Sequence, residues 1–149
     1  MNDRVRAVLI TSQNELLTIR RDRPGSPTYR VLPGGHVEPG DASLEDALLR
    51  EVREELAGEP AIRSLLRVVG SDTDRQYFYL ATIDTWAFDQ RIGPESDEPG
   101  RGQYAIDLIP LTGEDIARSN IKPEEIADFL CHALSEGGLF AQPDHRAEA

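Results

Sequence analysis

The chain has 149 residues, a length that fits one domain with a substantial hydrophobic core. Its 16 basic and 27 acidic residues give a formal net charge of −11, which argues against long nucleic acid as a partner because such binding draws on a basic surface. No stretch is long and apolar enough to predict a membrane span, and the first residues lack a secretory signal pattern, so we expect a cytoplasmic protein that binds no membrane.

Apolar runs and turn-forming residues divide the chain into strands and two helices. Segments rich in β-branched, aromatic and aliphatic residues predict strands at 5–10, 16–21, 29–32, 62–70, 76–83 and 104–111. The turn-forming sets at 11–14 and 71–74 predict hairpins between the strands that flank them. The capping-box pair Ser43 and Asp46 predicts a first helix over 43–57, and Pro123 begins the second.

Strands and helices in this order predict an α/β (α+β) fold with a mixed sheet. The polar segment 89–102 contains Gly and Pro and is long enough to form a substrate-facing loop. Residues 137–149 show little periodicity and are expected to form a mobile tail. We therefore expect a single domain over residues 1–136.

Three carboxylates are concentrated on one side of the first helix. Glu51, Glu54 and Glu55 stand at i, i+3 and i+4, so they project together at about 100° per residue. Glu55 also falls within the apolar stripe of Leu44, Ala47, Leu48, Val52 and Leu56. Desolvated like charges repel unless a cation compensates them, and Mg²⁺ or Mn²⁺ takes carboxylate and phosphate oxygens together. The alternative is an ordinary solvated acidic face.

A glycine turn, Pro33-Gly34-Gly35, precedes this helix, and the combination resembles the signature of the Nudix hydrolases. That signature is Gly, five residues, Glu, seven residues, then Arg-Glu-apolar-any-Glu-Glu-any-Gly-apolar. The matching residues are Gly35, Arg50, Glu51, Val52, Glu54 and Glu55. Asp41 stands where the family usually has Glu, one extra residue lies between Gly35 and Arg50, and Ala57 occupies the later glycine position.

The resemblance implies a MutT-like Nudix domain, an α/β/α sandwich with a mixed sheet over about residues 5–134. It implies metal-dependent hydrolysis of a pyrophosphate bond in a nucleoside triphosphate or a related nucleoside diphosphate derivative, with Mg²⁺ or Mn²⁺ neutralising phosphate charge. The implied catalytic residues are Glu51, Glu54, Glu55 and Arg50. The same three glutamates and the Gly35 carbonyl are the implied metal ligands, and Glu95 or Glu98 is a candidate for a further carboxylate ligand.

Residues outside the signature are candidates for substrate contacts. Arg20 and Arg21 end the second strand and can grip a phosphate, although strand alternation allows only one of them to face a cleft. Tyr77 and Tyr79 are candidates for stacking on a base, and a core position is the alternative. Trp86 and His36 carry weaker signals of the same kind.

The signature leaves the substrate open among nucleoside triphosphates, dinucleoside polyphosphates, ADP-ribose and nucleotide sugars. A different class of function is a catalytically inactive, nucleotide-sensing module. The intact glutamates 51, 54 and 55 count against it, because a binding module has no need for a repulsive cluster. A small nucleotide is the expected partner in either case, and the family resemblance makes a homodimer an open alternative to a monomer.

Overall fold

The structure is a computed structural model that describes residues 2–87 and 103–148. Strands of this part of the chain form one eight-stranded mixed sheet. They are β1 Asn2–Thr11, β2 Glu15–Asp22, β3 Tyr29–Val31, β4 Gly34–His36, β5 Ala61–Gly70, β6 Asp74–Ile83, β7 Gln103–Pro110 and β8 Ile121–Lys122. The order is β5-β6-β1-β2-β3-β8, with β4 paired to β1 and β7 to β2.

Strand β1 changes its partner along its length, and this change shapes the end of the sheet. It runs parallel to β6 throughout and pairs with β2 only beside the hairpin, at Leu9↔Leu17 and Ile10↔Leu16. Toward its start it pairs instead with β4, where Arg6 lies opposite Gly34. Strand β2 meanwhile continues with β3 and β7, so β1 and β2 separate beyond the hairpin.

Helices cover both faces of the sheet. They are α1 Leu44–Leu56, α2 Gly113–Arg118 and α3 Glu124–Ser135. Because neighbouring residues of a strand face opposite sides, Leu9 and Tyr79 pack in the core under α1, whereas Val8 and Phe78 pack in the core under α3. The predicted α/β/α sandwich with a mixed sheet is thus confirmed. No helix in the described ranges is long and apolar enough to cross a membrane.

Helix α1 begins and ends where the capping signals predict. The Ser43 hydroxyl accepts a hydrogen bond from the backbone N–H of Asp46 at 3.0 Å, which satisfies one of the open donors of the first turn. At the other end Ala57 adopts the left-handed conformation with φ of 50°. The helix therefore ends at the position where the Nudix signature has glycine, and alanine bears the steric cost.

We expect Ala57→Gly to stabilise the protein by about 0.5 kcal/mol in urea unfolding. Relief of the left-handed strain gains about 1 kcal/mol, and the extra freedom of glycine in the unfolded chain offsets about half of it. Ala117→Gly, in the last turn of α2, is the matched control and should destabilise the protein by up to about 1 kcal/mol. Equal effects of the two changes would contradict the strain at Ala57.

Three short elements differ from the predicted set. The Gly34–His36 segment is a short strand rather than a turn, because its backbone pairs with β1. Helix α2 and strand β8 were not predicted, since six and two residues carry too little periodicity to show in the sequence. The remaining strands and both longer helices lie within three residues of the expected bounds.

The segment after α3 packs against the domain, which differs from the predicted mobile tail. It contains two short 3-10 helices, Leu139–Ala141 and Arg146–Glu148, and Leu139 is buried in the core under α3. The Leu65 N–H donates to the Asp144 carboxylate at 3.0 Å, and the His145 N–H donates to the Leu65 carbonyl at 2.9 Å. Polar residues therefore hold this segment through backbone contacts that periodicity does not reveal.

The Asp144 contact predicts a pH-dependent difference between the protein and its Asp144→Asn variant. The Arg146 guanidinium and the Leu65 N–H lower the pKa of Asp144 to about 2. The ionised carboxylate thus stabilises the fold above the ordinary pKa of about 3.8, and this contribution is lost as pH falls toward 2. At pH 6 the melting temperature of the variant should be slightly lower than that of the native protein. The two melting temperatures should converge between pH 4 and pH 2. A gap that persists at pH 2 would contradict the ionic contribution.

Candidate active site

Arg50 is the centre of the polar cluster at the start of α1. Its Nε and Nη2 donate to the two oxygens of Asp41, each at 2.9 Å. Its Nη1 donates to Glu51 at 3.1 Å and to Glu54 at 3.3 Å, and its Nη2 also donates to the His36 carbonyl at 3.1 Å. One guanidinium therefore ties the loop before α1 to two of the three signature glutamates.

Asp41 is a site residue to which the sequence analysis assigned no role. Its side chain is only 8% exposed, and the Arg50 guanidinium and the Glu38 N–H lower its pKa to about 2. The same ion pair raises the pKa of Arg50. The sequence offered one signal, since Asp41 stands at the signature position usually held by Glu. The structure shows that the shorter side chain reaches Arg50 with both oxygens in a loop one residue longer.

Two adjacent glycines form a cradle under the glutamates. A Cβ on Gly35 would lie 2.7 Å from each atom of the Glu51 carboxylate, so the absence of a side chain lets that carboxylate approach the backbone. Gly34 has φ of +146°, and its N–H donates to Glu55 Oε1 at 2.7 Å. The chain thus brings Gly34, Gly35, Glu51 and Glu55 together, with Glu54 joined through Arg50.

We expect Gly35→Ala to impair catalysis while leaving the fold in place. The added methyl group displaces the Glu51 carboxylate, and a displacement of about 1 Å in a catalytic group can cost about 100-fold in rate. Steady-state kinetics should show kcat/KM reduced about 10- to 100-fold, with little change in melting temperature because the clash is with a side chain. Full activity in a folded Gly35→Ala protein would contradict the cradle.

Glu51 occupies a less favourable environment than Glu54. Its side chain is 14% exposed against 45% for Glu54. Burial raises the pKa of Glu51, although Arg50 acts in the opposite direction. A cation stabilises the ionised form of such a partly buried carboxylate, because it replaces the hydration that burial removes.

The residues present fit a divalent metal ion by their chemistry. The donors are carboxylate oxygens on one side of α1 beside a bare backbone at Gly35, which suits the hard cations Mg²⁺ and Mn²⁺. Glu51 and Glu54 are directed to Arg50, and Glu55 is directed to Gly34. Within 2–87 and 103–148, no group of three or more His, Cys, Asp or Glu side chains is already gathered around one metal position.

The two arginines of β2 point to opposite faces. Arg20 forms ion pairs with Asp22 at 3.1 Å and Asp107 at 3.8 Å. The Arg21 guanidinium lies 4.5 Å from the Tyr104 ring centroid. Burial lowers the pKa of Arg6, the site glutamates Glu55 and Glu51 act in the opposite direction, and the charge of Arg21 acts with burial. Of the two, Arg21 is therefore the one positioned toward the glutamates.

The tyrosines proposed for base stacking lie in the core. Tyr77 is 6% exposed and Tyr79 is 2% exposed, both among the residues packed under α1. This corrects the stacking interpretation in favour of the core alternative, because neither ring has a face open to a base. Trp86 packs partly buried against the same core, and His36 is exposed with its Nδ1 3.0 Å from Asn2 Oδ1. Glu95 and Glu98 lie outside the described residues.

Comparison with known proteins shows the family of this chain and the likeness of its fold to solved structures. The NUDIX domain model matches residues 1–100. A MutT structure from work on Aliivibrio salmonicida and Vibrio cholerae superposes with a TM-score of 0.62 at 22% identity, covering 88% of this chain and 97% of that one. A NUDIX family hydrolase from Clostridium perfringens gives 0.64 at 16% identity, covering 91% and 97%.

A sequence relative is the ADP-ribose pyrophosphatase of Methanocaldococcus jannaschii, 38% identical over 63 residues. The match covers 42% of this chain and 37% of that protein, so the chain spans little more than a third of the relative's length. The fold matches that of the two solved structures, and Glu51 and Glu55 lie at the Gly34-Gly35 cradle. The chain belongs to the NUDIX domain family.

Proposed function

We propose that this Nudix hydrolase uses Mg²⁺ or Mn²⁺ to cleave the pyrophosphate bond of a nucleoside triphosphate or a related nucleoside diphosphate derivative. The observation that carries the proposal is the arrangement of Glu51, Glu54 and Glu55 around Arg50 and the Gly34-Gly35 cradle. Phosphate chemistry of this kind depends on neutralising negative charge and orienting the bridge, which a carboxylate cluster achieves by holding divalent cations.

The roles of the residues follow from their contacts. Glu51 and Glu55 are the proposed metal ligands nearest the cradle, with Glu54 in the same cluster and the Gly35 carbonyl as a further ligand. When bound, the metal supplies charge neutralisation and a more acidic water molecule. Arg50 orients Glu51 and Glu54 and keeps Asp41 ionised, so it holds the carboxylates in position.

The structural neighbours and the sequence relative suggest different substrates. The structural neighbours include MutT proteins, and the sequence relative from Methanocaldococcus jannaschii is named an ADP-ribose pyrophosphatase. A nucleoside triphosphate is the first candidate. Dinucleoside polyphosphates, ADP-ribose and nucleotide sugars are the alternatives, because all of them contain the diphosphate bridge on which such a cluster acts.

The test is a panel of these four substrate classes with Mg²⁺, with Mn²⁺ and with EDTA, in which every phosphate-containing product is identified. We expect cleavage at a diphosphate bridge that requires the metal and that is fastest for one class. A folded protein that turns over none of the classes with either metal would overturn the proposal in favour of a nucleotide-sensing role.

A further inference from the structure

Arg6 is a half-buried cation beside the glycine cradle that the roles described so far leave unused. It lies on β1 directly opposite Gly34, the residue whose N–H holds Glu55. Its Nη1 donates to the Leu32 carbonyl at 3.2 Å, and its Nε donates to the Gln76 side-chain oxygen at 3.3 Å. Both acceptors are neutral, so among the described residues no carboxylate bonds directly to this guanidinium.

The charges around Arg6 are those of the candidate site. Burial lowers the pKa of Arg6, Glu55 and Glu51 act in the opposite direction, and Arg4 and Arg21 act with burial. Arg4 is already compensated by Asp74, which accepts from its Nη2 with both oxygens at 3.0 and 3.1 Å. Arg6 is therefore a cation whose charge the two site glutamates favour.

Arg21 is a second cation whose charge acts on Arg6. Its guanidinium lies 5.8 Å from the Tyr29 ring centroid as well as 4.5 Å from that of Tyr104. Its Nε is buried and has no hydrogen-bond partner within the part of the chain that the structure describes. Stacking on the two rings holds the Arg21 side chain in place near Arg6.

Metal binding changes this balance. A divalent cation held by Glu51 and Glu55 neutralises the negative charge that favours Arg6, and it adds positive charge nearby. An anion beside Arg6 restores the balance. In a nucleotide sugar or ADP-ribose both phosphates belong to the bridge, whereas a chain of three or more phosphates supplies an additional charged group.

Resting on the proposed function, we propose that Arg6 binds a phosphate of the substrate beyond the cleaved bridge and so selects nucleotides that carry three or more phosphates. The position of Arg6 fits this role because the neighbouring Ala7 N–H donates to the Pro33 carbonyl at 2.8 Å, which fixes β1 against the start of the cradle. A purely structural Arg6 would only hold the Leu32 carbonyl and the Gln76 side chain.

The test compares Arg6→Gln with Arg118→Gln, which removes the same charge from an exposed position paired with Glu114 and Asp115 on α2. Mn²⁺ binding to the nucleotide-free proteins is measured by electron paramagnetic resonance, because the signal of free Mn²⁺ falls as the ion binds. Nucleotide binding is measured by calorimetry with methylene-bridged analogues of ATP and ADP-ribose, which resist hydrolysis. Arg6→Lys keeps the charge and is measured in place of Arg6→Gln if Arg6→Gln does not fold.

The two measurements on Arg6→Gln should move in opposite directions. We expect Mn²⁺ to bind about two- to fivefold more tightly because a nearby like charge is gone. The ATP analogue should bind about 10- to 100-fold more weakly through loss of a charge-assisted hydrogen bond. The ADP-ribose analogue should weaken less than threefold, Arg6→Lys should recover part of the ATP affinity, and Arg118→Gln should resemble the native protein.

Other outcomes separate the inference from the proposed function. Weaker binding of both Mn²⁺ and the ATP analogue would show a structural role and overturn the inference. Equal losses for the two analogues would overturn the selection for additional phosphates. Absence of metal-dependent turnover in the native protein defeats the proposed function, whereas the binding measurements then still decide whether Arg6 takes the additional phosphate.

Discussion

Glu51→Gln should reduce kcat about 1,000-fold or more while the protein remains folded. Among the described carboxylates bonded to Arg50, Asp41 is the least exposed and Glu51 is the next. The Glu51 carboxylate lies over the backbone of Gly35, which carries no side chain. A neutral amide keeps the size of the side chain but removes the charge that a metal requires. Loss of several kcal/mol of electrostatic stabilisation corresponds to about three powers of ten in rate.

Two measurements accompany the kinetics. Metal binding by calorimetry should weaken in step with kcat, and the melting temperature should stay level or rise, because burial already disfavours the ionised Glu51. Glu114→Gln, whose side chain is 78% exposed on α2, is the matched control and should retain native kinetics. An active Glu51→Gln enzyme with native metal affinity would remove Glu51 from the proposed ligand set.

Gly34→Ala should destabilise the fold by about 3–5 kcal/mol in urea unfolding. A Cβ at this position would lie 2.0 Å from the Val5 carbonyl oxygen, and φ of +146° is a conformation that L side chains rarely adopt. The backbone strain costs about 1–3 kcal/mol and the forced separation of β1 from β4 a similar amount. Because the obstacle is backbone on a central strand, a side-chain rotation cannot relieve it.

Gly40→Ala is the matched control for this change. Nothing lies within 4 Å of a Cβ built on Gly40, so its stability should stay within about 0.5 kcal/mol of the native value or rise slightly. A Gly34→Ala protein as stable as Gly40→Ala would contradict the close pairing of β1 with β4. Together with Gly35→Ala, the series separates a glycine required by the fold from one required by Glu51.

Much of the architecture could be predicted because the periodic segments are long and their caps are explicit. Ser43 and the apolar stripe fixed helix α1 within one residue at each end. The short strand β4 could not be predicted, since glycines have no side-chain pattern and the pairing partner is distant in sequence. The packed segment after α3 was missed for the same reason, as its contacts are between polar groups and the backbone of β5.

The site was predictable where chemistry and spacing coincide. Glu51, Glu54, Glu55 and Arg50 are brought together, and their catalytic and metal-binding roles stay predictions. Tyr77 and Tyr79 were assigned wrongly to the substrate because an aromatic strand segment looks the same in a core and in a cleft. Asp41 and Arg6 were missed because each contacts a residue that is distant in sequence. Arg50 lies 9 residues from Asp41 and Leu32 lies 26 residues from Arg6, so only the folded chain shows these contacts.

Residues 144–146 cover part of the edge of strand β5. Among the strands that the structure describes, β5 is the outermost on its side of the sheet, and unpaired peptide groups on such a strand favour pairing with a strand of another molecule. Asp144 and His145 occupy the Leu65 peptide groups, and Arg146 donates to the Arg63 carbonyl at 3.0 Å. Residues 144–146 thus leave fewer peptide groups of β5 available for pairing with a strand of another copy.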